Sequence, residues 1–126
     1  MNRRALHQSG QSTVELALGL PFVIMMLLAI VQVGLVARDQ ILVVHAAREA
    51  ARASAVEPGE SGPRAAAAAA SPLEPARMQV DVGPRGEAGS RVTVTVRYRS
   101  PTLVPLVGPL IDDVEVRATA TMRVEG

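Results

Sequence analysis

A long apolar run near the N-terminus limits the folds that this chain can adopt. The residues from Leu16 to Ala37 include a single polar side chain, Gln32. As an α-helix this run is about 33 Å long, which is enough to cross the hydrocarbon core of a bilayer. We therefore predict a membrane-spanning helix over residues 16–37, which excludes a wholly soluble protein.

This run differs from the apolar region of a cleaved secretory signal, which is shorter and precedes an Ala-x-Ala-like site. Here the run is long and ends in Val36-Ala37-Arg38. A permanent single-pass anchor fits best, and a cleaved signal or a buried core helix are the alternatives. Arginines flank both ends of the run, so charge alone leaves the orientation open: Arg3, Arg4, Arg38, Arg48 and Arg52.

The composition excludes several kinds of function. The chain has no cysteine, so it cannot form a disulfide, a thiolate metal site or a cysteine nucleophile. Its net charge of +1 gives no electrostatic basis for binding nucleic acid. No catalytic, phosphate-binding or metal-ligand spacing is present, and His45 stands alone. We predict no enzymatic activity, no cofactor and no metal.

The residues before the run hold an acidic side chain at the membrane edge. Glu15 follows Gly10-Gln11-Ser12-Thr13-Val14. One interpretation is a capping box, in which Ser12 caps a helix and Glu15, three residues later, is its partner. The other interpretation depends on the position of Gly10, five residues before Glu15.

A basic leader, Gly10 and a carboxylate five residues later, at the start of a long apolar helix, resemble a type IV prepilin. With Pro21 and the downstream segment 46–53 (Ala-Ala-Arg-Glu-Ala-Ala-Arg-Ala), the pattern is similar to the TadE-like family. These are the minor pilins or pseudopilins of the tight-adherence (Tad/Flp) pilus system. The resemblance covers about residues 8–56. Leu16 stands where the major pilins usually carry an aromatic residue, which counts against a major pilin.

The resemblance implies that a prepilin peptidase removes residues 1–10 on the cytoplasmic side, cutting between Gly10 and Gln11. It implies a single-pass protein of the cytoplasmic (inner) membrane, with a cytoplasmic N-terminus, the C-terminal head outside, and incorporation into an extracellular pilus. The implied partners are this peptidase, other pilin or pseudopilin subunits, the pilus assembly platform and the lipid bilayer. One alternative is an uncleaved, membrane-anchored accessory protein of the envelope or assembly platform. Another is a signal-anchored soluble binding domain whose partner site is the apolar loop, residues 101–111.

Two further hypotheses concern single residues of the helix. The carboxylate of Glu15 can pair with the free amine of a neighbouring subunit's Gln11, since both charges are otherwise uncompensated in an apolar bundle. Pro21 has no N–H for the carbonyl of Ala17, and Gly19 lies close by. We therefore predict a helix kink at Gly19 and Pro21.

The rest of the chain predicts an α+β fold. The long helix covers residues 11–56 and continues past the membrane. Apolar residues recur there at helical spacing, at Ile41, Val44, Ala47 or Ala51, and Ala55, and Glu57-Pro58-Gly59 ends the helix. Residues 57–77 form a linker and a short alanine-rich helix, with a low-complexity linker as the alternative.

Residues 78–126 form a small head with a three-stranded antiparallel sheet. Two strands alternate apolar and polar residues, over 91–99 and 114–124, and a shorter one covers 78–82. An apolar loop with three prolines, residues 101–111, joins the last two strands. Three positions remain open for this loop: over the sheet, at the membrane surface, or against another subunit.

Overall fold

The computed structural model describes the backbone of residues 3–126 and the side chains of residues 10–126. Its first element is a single helix, α1, over Arg3–Val56. The helix begins earlier than predicted and passes through Ser12 without a break, so the interpretation of Ser12 as a helix cap is wrong. The predicted leader, residues 1–10, includes Met1 and Asn2, which lie outside the described residues. The leader boundary stays a prediction.

The helix ends where the sequence predicts, because Gly59 reverses the chain. Gly59 has φ +109°, a conformation that residues with a Cβ rarely adopt. A short helix, α2, follows over Ser61–Ala69 and packs on α1 through the buried Pro63 and Ala67. The alanine-rich segment is therefore a helix, which excludes the low-complexity linker.

The head contains a three-stranded antiparallel sheet in the order β1-β2-β3, as predicted. The strands are β1, Met78–Val82; β2, Arg91–Ser100; and β3, Val114–Arg123. A 3-10 turn over Pro75–Arg77 precedes β1. The register places Val80 opposite Val96, and Val96 opposite Ala118 on β3. The alternation in the sequence therefore predicts both the strands and the face that each one buries.

The core lies between this sheet and the second half of α1. The sheet contributes valines with no exposed surface, and the helix contributes alanines: Val92, Val94, Val96, Ala46, Ala47, Ala50 and Ala51. Small helix residues let the sheet approach the helix backbone closely. Of the apolar residues that recur at helical spacing, Ala47, Ala51 and Ala55 are buried, but Ile41 is 70% exposed, and the buried stripe begins at Val43 instead.

A hairpin between β1 and β2 closes the end of α1. The Arg85 Nε donates to the carbonyl of Ser54 at 3.0 Å, and its Nη2 donates to that of Ala55 at 3.3 Å. The amide of Glu125 also donates to Ala55 O, at 2.9 Å. The final carbonyls of α1 have no partners within the helix, so these donors satisfy them and place a cation at its negative end.

Candidate functional site: two surfaces of the long helix

Residues 10–31 of α1, here called the bare half, have almost no contact with the rest of the chain. Every residue from Gly10 to Ile24 is exposed, and only Met25 and Leu28 are half-buried farther on. The exposed side chains include many large apolar ones: Val14, Leu16, Leu18, Leu20, Phe22, Val23, Ile24, Met26, Leu27, Ile30 and Val31. By length and composition, this helix could span a membrane.

The residues of the predicted cleavage site lie at the start of the bare half. Gly10, Gln11 and Glu15 are all exposed on the helix. No ion pair within residues 10–126 involves Glu15. The next charged residue along the helix is Arg38. The carboxylate therefore marks one edge of a long uncharged surface.

The residues of the predicted kink also lie on this exposed surface. The helix continues through Gly19 and Pro21, and no heavy atom lies within 4 Å of a Cβ added at Gly19. Contacts within the chain therefore do not require glycine at this position. The kink itself stays a prediction.

The second half of α1, residues 32–56, is here called the covered half and begins at a buried polar side chain. Gln32 is 5% exposed, and its Oε1 accepts a hydrogen bond from the Val104 amide at 3.4 Å. Val104 belongs to the apolar loop, residues 101–111. The loop thus lies against the helix, within the predicted membrane span and not beyond it.

Two more polar contacts attach the covered half to the head. The Ser100 hydroxyl donates to the Asp39 carboxylate at 2.6 Å, with both residues buried. The side-chain Nε2 of Gln40 donates to the backbone carbonyl of Arg117 at 3.1 Å. None of these contacts was predicted from the sequence. A signal was present, because Gln32, Asp39 and Val43 are seven and four residues apart and share one helix face.

The end of the apolar loop is closed by a carboxylate. Asp113 accepts a hydrogen bond from the Thr102 amide at 3.2 Å and one from Arg77 Nη1 at 3.0 Å. The Thr102 N–H and the Arg77 guanidinium hold the pKa of this carboxyl below its ordinary value of 3.8. Arg77 in turn has a raised pKa, first because of its hydrogen bond with Asp113. The two strands that flank the loop are therefore joined at its base.

A groove of about 390 Å³ lies between the apolar loop and α1. Its lining is almost entirely apolar and includes Val33, Val36, Ile111 and Val114. The groove opens beside the bare half, because Val33 is 69% exposed. The exposed apolar surface of the helix therefore continues onto the loop.

Residues 10–126 contain no group of three or more His, Asp or Glu side chains placed to hold a metal ion. His45 is exposed on the covered half of α1. The features that distinguish the described part of the chain are its apolar surfaces and the polar contacts that border them.

Comparison with known proteins gives one match. The family model described as TadE-like protein matches residues 10–52, from the predicted cleavage-site glycine almost to the end of α1. A search of the curated proteins and of the solved structures gives no match. The resemblance drawn from Gly10, Glu15 and the apolar run is confirmed. Residues 10–52, about a third of the chain, are therefore similar to the TadE-like family.

Proposed function

We propose that the chain is a minor pilin or pseudopilin, a structural subunit of a Tad/Flp-type pilus or a related secretion or adhesion assembly. The observation that carries this proposal is the bare half of α1. The family match begins at Gly10, and the residues after it present large apolar side chains that the rest of the chain leaves uncovered. Such a surface needs lipid or other helices around it.

Leader removal requires access to the peptide bond between Gly10 and Gln11. Both residues are exposed, and glycine is less favourable than alanine in a helix by about 1 kcal/mol. The turn around this bond therefore opens at little cost for a prepilin peptidase on the cytoplasmic side. The head then lies on the outer side of the membrane, and the new N-terminus is the amine of Gln11.

After cleavage the bare half packs against the helices of other subunits. Gln11 and Glu15 are about one helical turn apart in sequence. A small axial shift between neighbouring helices therefore places the Gln11 amine of one subunit beside the Glu15 carboxylate of the other. An unpaired charge in an apolar bundle is costly, so pairing between subunits favours one axial register. This pairing is the role we assign to Glu15.

The experiment that tests the proposal measures the intact mass and N-terminal sequence of the membrane-purified chain. The chain is expressed with and without the cognate prepilin peptidase. We expect a mature chain that begins at Gln11, only when the peptidase is present. Loss of Arg3 and Arg4 changes its formal net charge from +1 to −1. A chain that keeps its N-terminus in both cases overturns the pilin proposal and favours the uncleaved accessory protein.

The role of Glu15 has its own test. Glu15→Ala removes the carboxylate at the start of the bare half, and Glu57→Ala removes an exposed carboxylate just after the end of α1. We expect Glu15→Ala to be processed normally but lost from the fraction that co-purifies with other pilus subunits. The Glu57→Ala variant stays in that fraction. Equal recovery of both variants contradicts the pairing.

A further inference from the structure

The apolar loop, residues 101–111, lies at a depth where the helix beside it is still apolar. No charged residue occurs between Glu15 and Arg38. A hydrocarbon core takes about 20 helical residues, so a span that begins at Leu16 extends to about residue 35. Gln32 lies inside this length, and the loop is bonded to it through Val104. The loop therefore lies beside the last residues of the predicted membrane-spanning segment and not beyond its C-terminal end.

The backbone of this loop is prepared for an environment without water. Pro101, Pro105 and Pro109 have no N–H group. The structure gives five other amides of the loop an acceptor within the chain: those of Thr102, Val104, Gly108, Leu110 and Ile111. Backbone donors without a partner are costly in hydrocarbon. Eight of the eleven loop residues leave none, and only the loop amides of Leu103, Leu106 and Val107 have no acceptor within residues 10–126.

The side chains of the loop are apolar and largely uncovered. No charged residue occurs between Arg99 and Asp112. Leu103 is 68% exposed, Leu106 60% and Leu110 73%. Leu106 also has φ +69°, a left-handed conformation that glycine or asparagine adopts more readily. A strained, exposed leucine contributes little to the packing of the head, which indicates a contact outside the chain.

We propose that the apolar loop inserts into the boundary between headgroups and acyl chains of the leaflet from which α1 emerges, as a second membrane contact. This inference rests on the proposed membrane anchoring of α1. The groove between Val33 and Ile111 joins the loop to the bare half, so the two apolar surfaces are continuous. Before assembly, the loop and the helix around Gln32 therefore share one environment, which in the membrane is lipid.

The test places a single tryptophan in the full-length chain, which has none of its own. The loop positions are Leu103→Trp and Leu110→Trp. Met26→Trp, near the middle of the apolar run, reports on the anchor itself. Val56→Trp lies 24 residues beyond Gln32, about 36 Å along the helix, and reports on water. Each variant is reconstituted in phosphatidylcholine–phosphatidylglycerol vesicles whose acyl chains carry bromine either near the headgroup or near the methyl end.

We expect both loop tryptophans to lose about half of their fluorescence to bromine near the headgroup, and less to bromine at the methyl end, as for interfacial insertion to 5–10 Å. Met26→Trp shows the reverse order, and Val56→Trp is not quenched. Quenching of Met26→Trp with none at either loop position overturns the loop insertion but leaves the anchor.

Two other results have distinct meanings. A blue-shifted loop tryptophan that bromine does not quench shows that protein, such as a second copy of the chain, covers the loop, and this overturns the lipid contact. Absence of quenching at Met26 as well overturns both the loop insertion and the membrane anchoring on which it rests.

Discussion

The two halves of α1 differ both in their charge and in the size of the apolar side chains that they present. The bare half carries leucine, isoleucine, methionine and phenylalanine, and nearly all of them are exposed. The covered half buries alanines against the sheet, including Ala46, Ala50 and Ala51. Large side chains suit a surface that other molecules must fill, and small ones suit a surface on which the chain's own sheet lies.

The boundary between the halves is polar. Gln32 and Asp39 are buried, and each bonds to the segment that joins β2 to β3 or to the end of β2 itself. Polar groups in an apolar setting stabilise only the arrangement that satisfies them. These contacts therefore define where on the helix the head begins.

The largest effect is expected from enlarging an alanine of the covered half. Ala50 has no exposed surface. Ala50→Leu forces the sheet away from the helix and lowers the free energy of unfolding of the head by about 3 kcal/mol. Urea unfolding in detergent, followed by the fluorescence of the buried and only tyrosine, Tyr98, measures this loss. Ala29→Leu, on the exposed bare half, is the control. An equal loss of unfolding free energy in both variants contradicts the distinction between the covered and the bare half.

A smaller loss is expected when the cap on α1 is removed. Arg85→Ala removes the donors to Ser54 O and Ala55 O and the cation at the end of the helix. We expect the free energy of unfolding to fall by about 2 kcal/mol in the same urea experiment. Arg85→Lys keeps the charge and loses less. Arg48→Ala, an exposed arginine on the same helix, leaves the unfolding midpoint unchanged if the cap is the cause.

The boundary itself is tested by Gln32→Leu. This change leaves the Val104 amide without its acceptor, but it also removes the Gln32 Nε2, a donor that is buried without a partner. We therefore expect the free energy of unfolding to fall by no more than about 1 kcal/mol. Gln11→Leu makes the same chemical change on the exposed start of the helix and has no effect on the head. An unchanged unfolding midpoint in Gln32→Leu shows that the loop does not depend on this bond.

The smallest effect is the pH dependence of the loop closure. The pKa of Asp113 in the folded chain is lowered below 3.8. The ionised Asp113 carboxylate therefore stabilises the folded chain fully above about pH 3.8. This stabilisation is lost as the pH falls through the lowered pKa of the folded chain. Amide hydrogen exchange at Thr102 measures this opening. Asp113→Asn removes the acid-dependent step, and persistence of that step in the variant assigns it to another group.

The strands and helices follow from local patterns, and so they could be predicted. The alternation in residues 91–99 identifies β2 within one residue of its observed end, and Glu57-Pro58-Gly59 identifies the end of α1. The start of α1 could not be predicted as well. Ser12 has the chemistry of a cap, but the residues before it also form helix, so the capping interpretation fails.

The place of the apolar loop could not be predicted, because it depends on contacts between distant parts of the chain. Gln32 and Val104 are 72 residues apart, and Asp39 and Ser100 are 61 apart. No local periodicity encodes such pairs. The exposure of Ile41 has a related reason. Ile41 is more apolar than Ala46, yet only the small residue lets the sheet approach the helix.

The separation of these partners in sequence also delays the covering of α1 while the chain is being synthesised. The covered half of α1 is synthesised before the strands that cover it, and 61–77 residues separate Asp39, Gln32 and Gln40 from their partners. At about 5–20 residues per second, the stripe on the helix waits several seconds for its cover. Alanines present less apolar area than leucines during that wait. The side chains that allow a close fit in the finished head also keep the growing chain from adhering to the wrong neighbour.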